Sequence, residues 1–382
     1  MQNTKFFSKF IIIGVLLLAI LSFNWDRIEL EGRAFVITIG IDAAEESDDV
    51  FEVSMSIADV AVMEGGSSAD DVSTLRIASG ESLARAMGQI DAKISEKVYY
   101  GHTKAVVLGE SVISDEDLLR EVVDTLSRKN DINIKCIVMA TDVSAKEILE
   151  IKPQEQSLLG LYLSGFYNNN NSNTAASVVK LDLEGLITSL QNDYSAVIPK
   201  ITLDGEGEEV EVTISGVAVV SDFALADYIP EDDMAGFLWL MENGAGAQVA
   251  IDAGDGHITL LVQKSKHRFS FEETNGKLHC IAQLHAEGSI EGARFMDSYF
   301  FDMQTMQQLQ DDFAQKIASE IEEIFDIFQN DFGVDGFGLK ELMRKRYPQL
   351  YEVYGADWRD AFENMVLVTE VDVLIRNTGS VK

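Results

Sequence analysis

The chain has 382 residues, with 30 basic and 64 acidic side chains and a formal net charge of −34. A surface so acidic repels nucleic acid, and anionic lipid at a distance, which excludes nucleic-acid binding. A hydrophobic content of 46 % and an aromatic content of 9 % suit packed cores rather than disorder, so the excess charge reads as solubility.

The first element is apolar. Phe10, Ile11, Ile12, Ile13, Val15, Leu16, Leu17, Leu18, Ile20 and Leu21 fall in a run without an ionisable group, preceded by Lys5 and Lys9. From Phe6 to Trp25 a helix would extend about 30 Å, enough to cross the hydrocarbon core of a bilayer. A cleaved signal peptide needs small residues before the cut, and Leu21-Ser22-Phe23 does not supply them. Residues 1–23 are therefore predicted to be a retained membrane anchor. Positive charge before the run and mixed charge after it place the bulk of the chain outside the cytoplasm.

After the anchor the patterns alternate between strand and helix. Strands are predicted at Ala34–Ile41 and Phe51–Ile57. A helix capped by Ser79 follows, with Leu83, Met87, Ile90 and Ile94 at helical spacing. Then come a strand at Lys104–Leu108, a helix opened by Ser114 and Asp117, and a strand with Ile132, Ile134, Cys136 and Val138 on one face. Ser144 and Glu147 form a capping box for a short helix before Pro153. The asparagine tract 168–173 reads as a loop.

The acidic run from Asp204 to Glu209 marks a boundary, followed by a strand at Val210–Val220. Pro230 with Glu231, Asp232 and Asp233 starts a helix. Strands follow at His257–Gln263 and Leu278–Ala286. Met306, Leu309, Phe313, Ile317, Ile321, Ile324, Phe325 and Phe328 predict a long amphipathic helix ending at Gly333. A basic helix, Leu339–Arg346, and a strand, Val366–Ile375, close the chain.

These elements predict an α+β fold: an N-terminal membrane helix followed by successive mixed α/β domains, each a sheet covered by helices. The expected division is an anchor at 1–23, a first domain at 24–203, a middle domain at 204–262 and a last at 263–382, the last two read alternatively as one unit.

Catalytic signatures are absent: there is no H-E-x-x-H, C-x-x-C, G-x-S-x-G or phosphate-loop pattern. His279 and His285 would share a strand face at roughly 20 Å, too far to hold one metal together. Carboxylate pairs are too abundant among 64 acids to point to a glycosidase-type site. Cys136 and Cys280 lie in apolar alternating patterns, where cysteine is usually a small core residue. No catalytic, cofactor or metal residue is assigned.

Five features in order carry a resemblance. They are Trp25-Asp26-Arg27-Ile28-Glu29-Leu30 with Ile39-Gly40-Ile41-Asp42; Tyr100-Gly101-His102 before the strand reaching Gly109; Ser215-Gly216-Val217-Ala218-Val219; Gly336-Phe337-Gly338 with Tyr347-Pro348 and Asp357-Trp358; and the terminal Ile375-Arg376-Asn377-Thr378-Gly379. In these the chain resembles the Ger(x)C family, the C subunits of nutrient germinant receptors of bacterial endospores. The resemblance implies an extracytoplasmic protein on the inner spore membrane that assembles with A and B membrane subunits, with the complex sensing a small-molecule nutrient. It implies a receptor component rather than an enzyme, with Trp25, Asp26, Arg27, Gly101, His102, Gly216, Gly338, Pro348 and Trp358 as motif or partner-contact candidates. Family members usually carry a lipobox cysteine, but Leu21-Ser22-Phe23-Asn24 lacks that thiol, so the apolar helix takes over the anchoring. The competing classes are a membrane-anchored envelope hydrolase and the solute-binding protein of a transporter.

Overall fold

The structure is a computed structural model. It describes residues 32–44, 48–58, 72–153, 158–168, 179–205, 207, 210–241, 244–253, 256–293 and 303–377. The expected anchor, Trp25, Asp26, Arg27 and the tract 169–173 lie outside the described residues. Among the described residues no helix is long and apolar enough to cross a membrane.

The first sheet is built from β1 (Arg33–Ala43), β2 (Phe51–Ala58), β3 (Ser73–Gly80), β4 (Lys97–Tyr99), β5 (Ala105–Leu108), β6 (Ile137–Thr141), β7 (Ser195–Asp204), β8 (Glu211–Ser221) and β9 (Ala224–Pro230). Its order is β3-β2-β1-β5-β6-β7-β8-β9, with β4 also beside β1. The centre, β1-β5-β6-β7, is parallel, and both flanks are antiparallel. Parallel strands need both faces covered. Helices α1 (Leu83–Asp91), α3 (Glu116–Arg128) and α6 (Leu183–Asp193) cover one face, sending Leu83, Ile90, Leu119, Val122 and Leu186 against Ile39, Val106 and Val138. Helices α4 (Ala145–Glu150) and α5 (Leu159–Asn168) cover the other face over Val107 and Met139; α2 (Glu110–Ile113) is a single turn after β5.

The second sheet has the order β10-β11-β12-β13, with β10 at Gln248–Ala253, β11 at Gly256–Thr274, β12 at Lys277–Ala293 and β13 at Val366–Asn377. Helix α8 (Met303–Asp326) lays Leu309, Phe313, Ile317, Ile321 and Ile324 on one face, and α7 (Ala235–Met241) adds Phe237 and Trp239. Each such fully buried side chain is worth about 1.5–3 kcal/mol of apolar burial. Val217, Val219 and Ile229 of the first sheet belong to this same core, so the two units share packing. Three short helices complete the unit: α9 (Leu339–Arg346), α10 (Pro348–Tyr354) and α11 (Trp358–Glu363). The expected cuts after residues 203 and 262 fall at the end of β7 and within β11, and β8 and β9 extend the first sheet.

Most predicted elements form, with shifted ends. The α1 cap is Ser82, whose side chain accepts from Arg85 N, because Ser79 is held in β3 opposite Glu52. Asp115, rather than Ser114, caps α3. The alternation Ile132–Val138 becomes a strand only from Ile137; Ile132 to Cys136 form turns, and Ile134 is exposed. Strands β3, β4, β7, β9 and β10 and helices α2, α5, α6, α10 and α11 are additions to the sequence reading. Both cysteines are free and buried.

Candidate functional site

Motif residues sit at three places, each built around a backbone demand. The first is the end of β1. Asp42 ends the Ile39-Gly40-Ile41-Asp42 strand, and its carboxylate accepts Ala145 N at 2.7 Å and Lys146 N at 3.0 Å. It therefore caps α4 from across the sheet, while Ser144 accepts Glu147 N from within the chain. Burial pushes the Asp42 carboxyl up from its usual range, against the pull of the two amides. Gly109 makes the room, since a Cβ there would stand 1.9 Å from an Asp42 oxygen.

The second is the turn before β5. Gly101 and His102 form a turn whose exposed imidazole packs edge-on to Phe35 at 5.1 Å and tilts against Tyr99 at 5.3 Å. The Arg33 guanidinium lies 5.3 Å from the centre of the Tyr99 ring. Tyr100 points inward, donates to Asp91 at 2.7 Å and carries Lys129 over its ring, and burial pushes its phenol far up.

The third is the loop between α8 and α9. Asp335 accepts Phe337 N and Leu339 N at 3.1 Å on one oxygen, and on the other Lys340 N at 2.8 Å and the Trp358 indole at 3.1 Å. The residue keeps some accessible surface, but its oxygens face these four donors, and burial raises its carboxyl. Gly338 caps α9 in the left-handed region at φ 69°, and Pro348 occupies the first turn of α10. Gly216 lies apart from all three, on β8 beside a register shift; at φ 130° a Cβ would fall 2.0 Å from the Ile229 carbonyl.

The structure thus joins the turn around Gly338 to Trp358 through Asp335, which accepts from Phe337 N and Leu339 N as well as the indole, and leaves Gly101, His102 and Gly216 elsewhere. Sequence reasoning missed Asp335, although an acid directly before Gly-Phe-Gly and a helix start is the usual signal for a side chain that ties a turn. It also missed the bridges between the units: Arg359 pairs with Asp222 at 2.9 Å and reaches Ser221 at 3.3 Å, and Lys340 pairs with Asp193.

Chemically these groups are committed to backbone and indole donors. Among the described residues no group of three His, Cys, Asp or Glu side chains is placed to hold a metal. A groove of about 510 Å³ crosses the outer face of the second sheet, lined by Lys266, Arg268, Gln283, His285, Glu370 and Asp372, among others. Within it His285 Nδ1 lies 2.7 Å from Asp372, but both side chains are solvent-exposed.

Comparison with known proteins assigns the chain. Residues 26–203 match the family model described as spore germination protein N-terminal domain, and residues 215–379 match spore germination B3/GerAC like, C-terminal. Spore germination protein KC of Bacillus subtilis (strain 168) is 24 % identical over 93 % of this chain and 92 % of its own length. Spore germination protein A3 of the same organism is 22 % identical over 94 % of this chain and 95 % of its own. The crystal structure of the GerBC protein superposes with a TM-score of 0.58 at 16 % identity, over 89 % of this chain and 97 % of that one, which shows a common fold. With the two family models covering most of its length, the chain belongs to the Ger(x)C family of spore germination proteins.

Proposed function

We propose that the chain is a non-enzymatic C subunit of a nutrient germinant receptor, tethered to the inner spore membrane by residues 10–21 and assembled with A and B membrane subunits. The observation that carries this reading is the use of the motif residues. Asp42, Gly109 and Trp358, together with the Asp335 that Trp358 meets, shape turns and helix starts, so these motif residues fix the form of the body rather than build a reacting centre. The complex couples nutrient binding to germination, and this subunit transmits through contact.

Deleting the gene from a spore former should abolish the response to one nutrient class; normal germination on every nutrient overturns the reading. Intact-mass measurement of membrane-extracted protein should find residues 1–23 retained and no lipid, and a mass starting at Asn24 or later overturns the anchor. Peptidoglycan cleavage by the purified body would favour the envelope hydrolase instead.

A further inference from the structure

The first sheet carries opposite uncompensated charge at its two ends. At the end where β1, β4 and β5 begin stand Arg33, Lys93, Lys97 and Lys104, none with a carboxylate partner among the described residues. Arg33 and Lys97 are register neighbours, so two like charges stand side by side, an arrangement that costs stability unless an anion lies near both. Of the acids at this end, Asp131 is paired with Lys129, and Asp182 and Glu184 with Lys135, while Asp91 accepts only from the Tyr100 hydroxyl and Glu96 only from Ser95, so the four cations outnumber the two acids without a cation. At the opposite end the signs reverse. Lys146 and Lys200 are paired with Glu52 and Asp142, whereas Asp48, Asp204 and Glu211 have no cation among the described residues.

Connectivity supplies a second, independent argument. Only residues 24–32 separate the apolar run from the start of β1, a reach of at most about 32 Å even when fully extended. The sheet itself is longer, since the 11 residues of β1 span about 36 Å. With β1 upright and its acidic end on the bilayer, the linker would fall short even when fully extended, so the short connection favours the pose with the cationic end toward lipid.

We infer that the strand-start end of the first sheet is a docking surface for the anionic lipid headgroups of the membrane that holds the anchor. This rests on the anchor proposed above. Exposed His102 over half-buried Tyr99 and Arg33 supplies the aromatic-cationic rim that suits a headgroup layer. The chain as a whole repels such a surface, but charges farther away than a Debye length of about 8 Å contribute little, so the near end decides. The body stands with its strand starts toward lipid and its acidic end toward the medium.

The test places a fluorophore on the full chain through Ser95→Cys at the strand-start end, Ser114→Cys at the other end, or Thr274→Cys on the β11–β12 turn. The native thiols are buried, and that of Cys136 is pushed up to about 12, so maleimide takes the new site. The labelled chain is reconstituted into phosphatidylcholine vesicles, one set with phosphatidylglycerol and one without, both with an energy acceptor on the headgroups. Strong transfer from position 95, with little from 114 or 274, is the expected result with phosphatidylglycerol. Adding Lys93→Glu and Lys97→Glu should lower the membrane-facing population about tenfold at low salt. Equal transfer from 95 and 114, or dominant transfer from 274, overturns the orientation while leaving the anchor intact, as does indifference to phosphatidylglycerol. Loss of vesicle co-sedimentation overturns the anchor and this inference together.

Discussion

Asp42 and Asp335 do the same work in the two units with different amounts of help. Asp42 is buried, satisfies two amides and is seconded by Ser144 on the same helix. Asp335 has no second: it alone collects three amides and an indole, and with them the loop, the start of α9 and the approach of α11. A buried donor left without an acceptor loses its full desolvation energy, so the cost of removal scales with the donors abandoned. The C-terminal unit is thus held by one residue where the N-terminal unit shares the task.

The comparison breaks first at Asp335→Ala, which should cost about 4 kcal/mol by urea unfolding, against about 2 kcal/mol for Asp42→Ala. Equal losses would mean that water replaces the Asp335 oxygens and that the contrast between the units is empty. Trp358→Phe removes one donor and keeps most of the ring, so a loss of about 1–2 kcal/mol is expected, and the gap should vanish in an Asp335→Ala background. Arg359→Ala severs an exposed bridge between the units and should cost under about 1 kcal/mol, less at high salt.

Acid gives the smallest effect and the sharpest sign. Hydrogen bonds from Arg376 hold Glu287 at about 2, and those from Arg344 hold Glu341 at about 2. Carboxyls lowered in the fold stabilise it above their ordinary value, and that contribution is lost as pH falls from about 4.5 toward about 2. Asp42 and Asp335 run the other way: raised in the fold, they bind a proton more readily there than in the unfolded chain, so acid does not weaken the protein through them. Thermal midpoints followed from pH 5 to pH 2 should therefore fall less in Glu341→Gln than in the parent. An unchanged slope would mean that Glu341 carries no share of the acid sensitivity.

How far the sequence could be read depended on the kind of signal. The row from Met306 to Phe325 became α8, with Phe328 in the π-helical turn that follows it to Gly333, the Ser144–Glu147 box became the α4 cap, and Leu339–Arg346 was correct to the residue. Strand β3 was missed because Ser73–Gly80 is polar and half-exposed, an outer strand whose place is decided by pairing with β2. Ile132 to Cys136 misled in the opposite sense: their alternation is that of a strand, but the polypeptide turns there, and Asn133 ties the turn to Thr103. The family motifs were legible as residues and not as contacts, since the amides flanking Gly338 and the Trp358 indole converge on an aspartate that no pattern singled out.

The sequence alone determined the main helix faces, the Ser144 cap and the acidic surface, which rest on residues a few positions apart or on composition, and the family, which rests on the order of short motifs along the chain. Tertiary structure decided that residues 211–230 complete the first sheet, that Asp42 caps a helix about a hundred residues away, and that unpaired charge of opposite sign gathers at the two ends of one sheet. Those outcomes depend on which strands become neighbours, and strand pairing is fixed by the packing of the whole sheet between its helices.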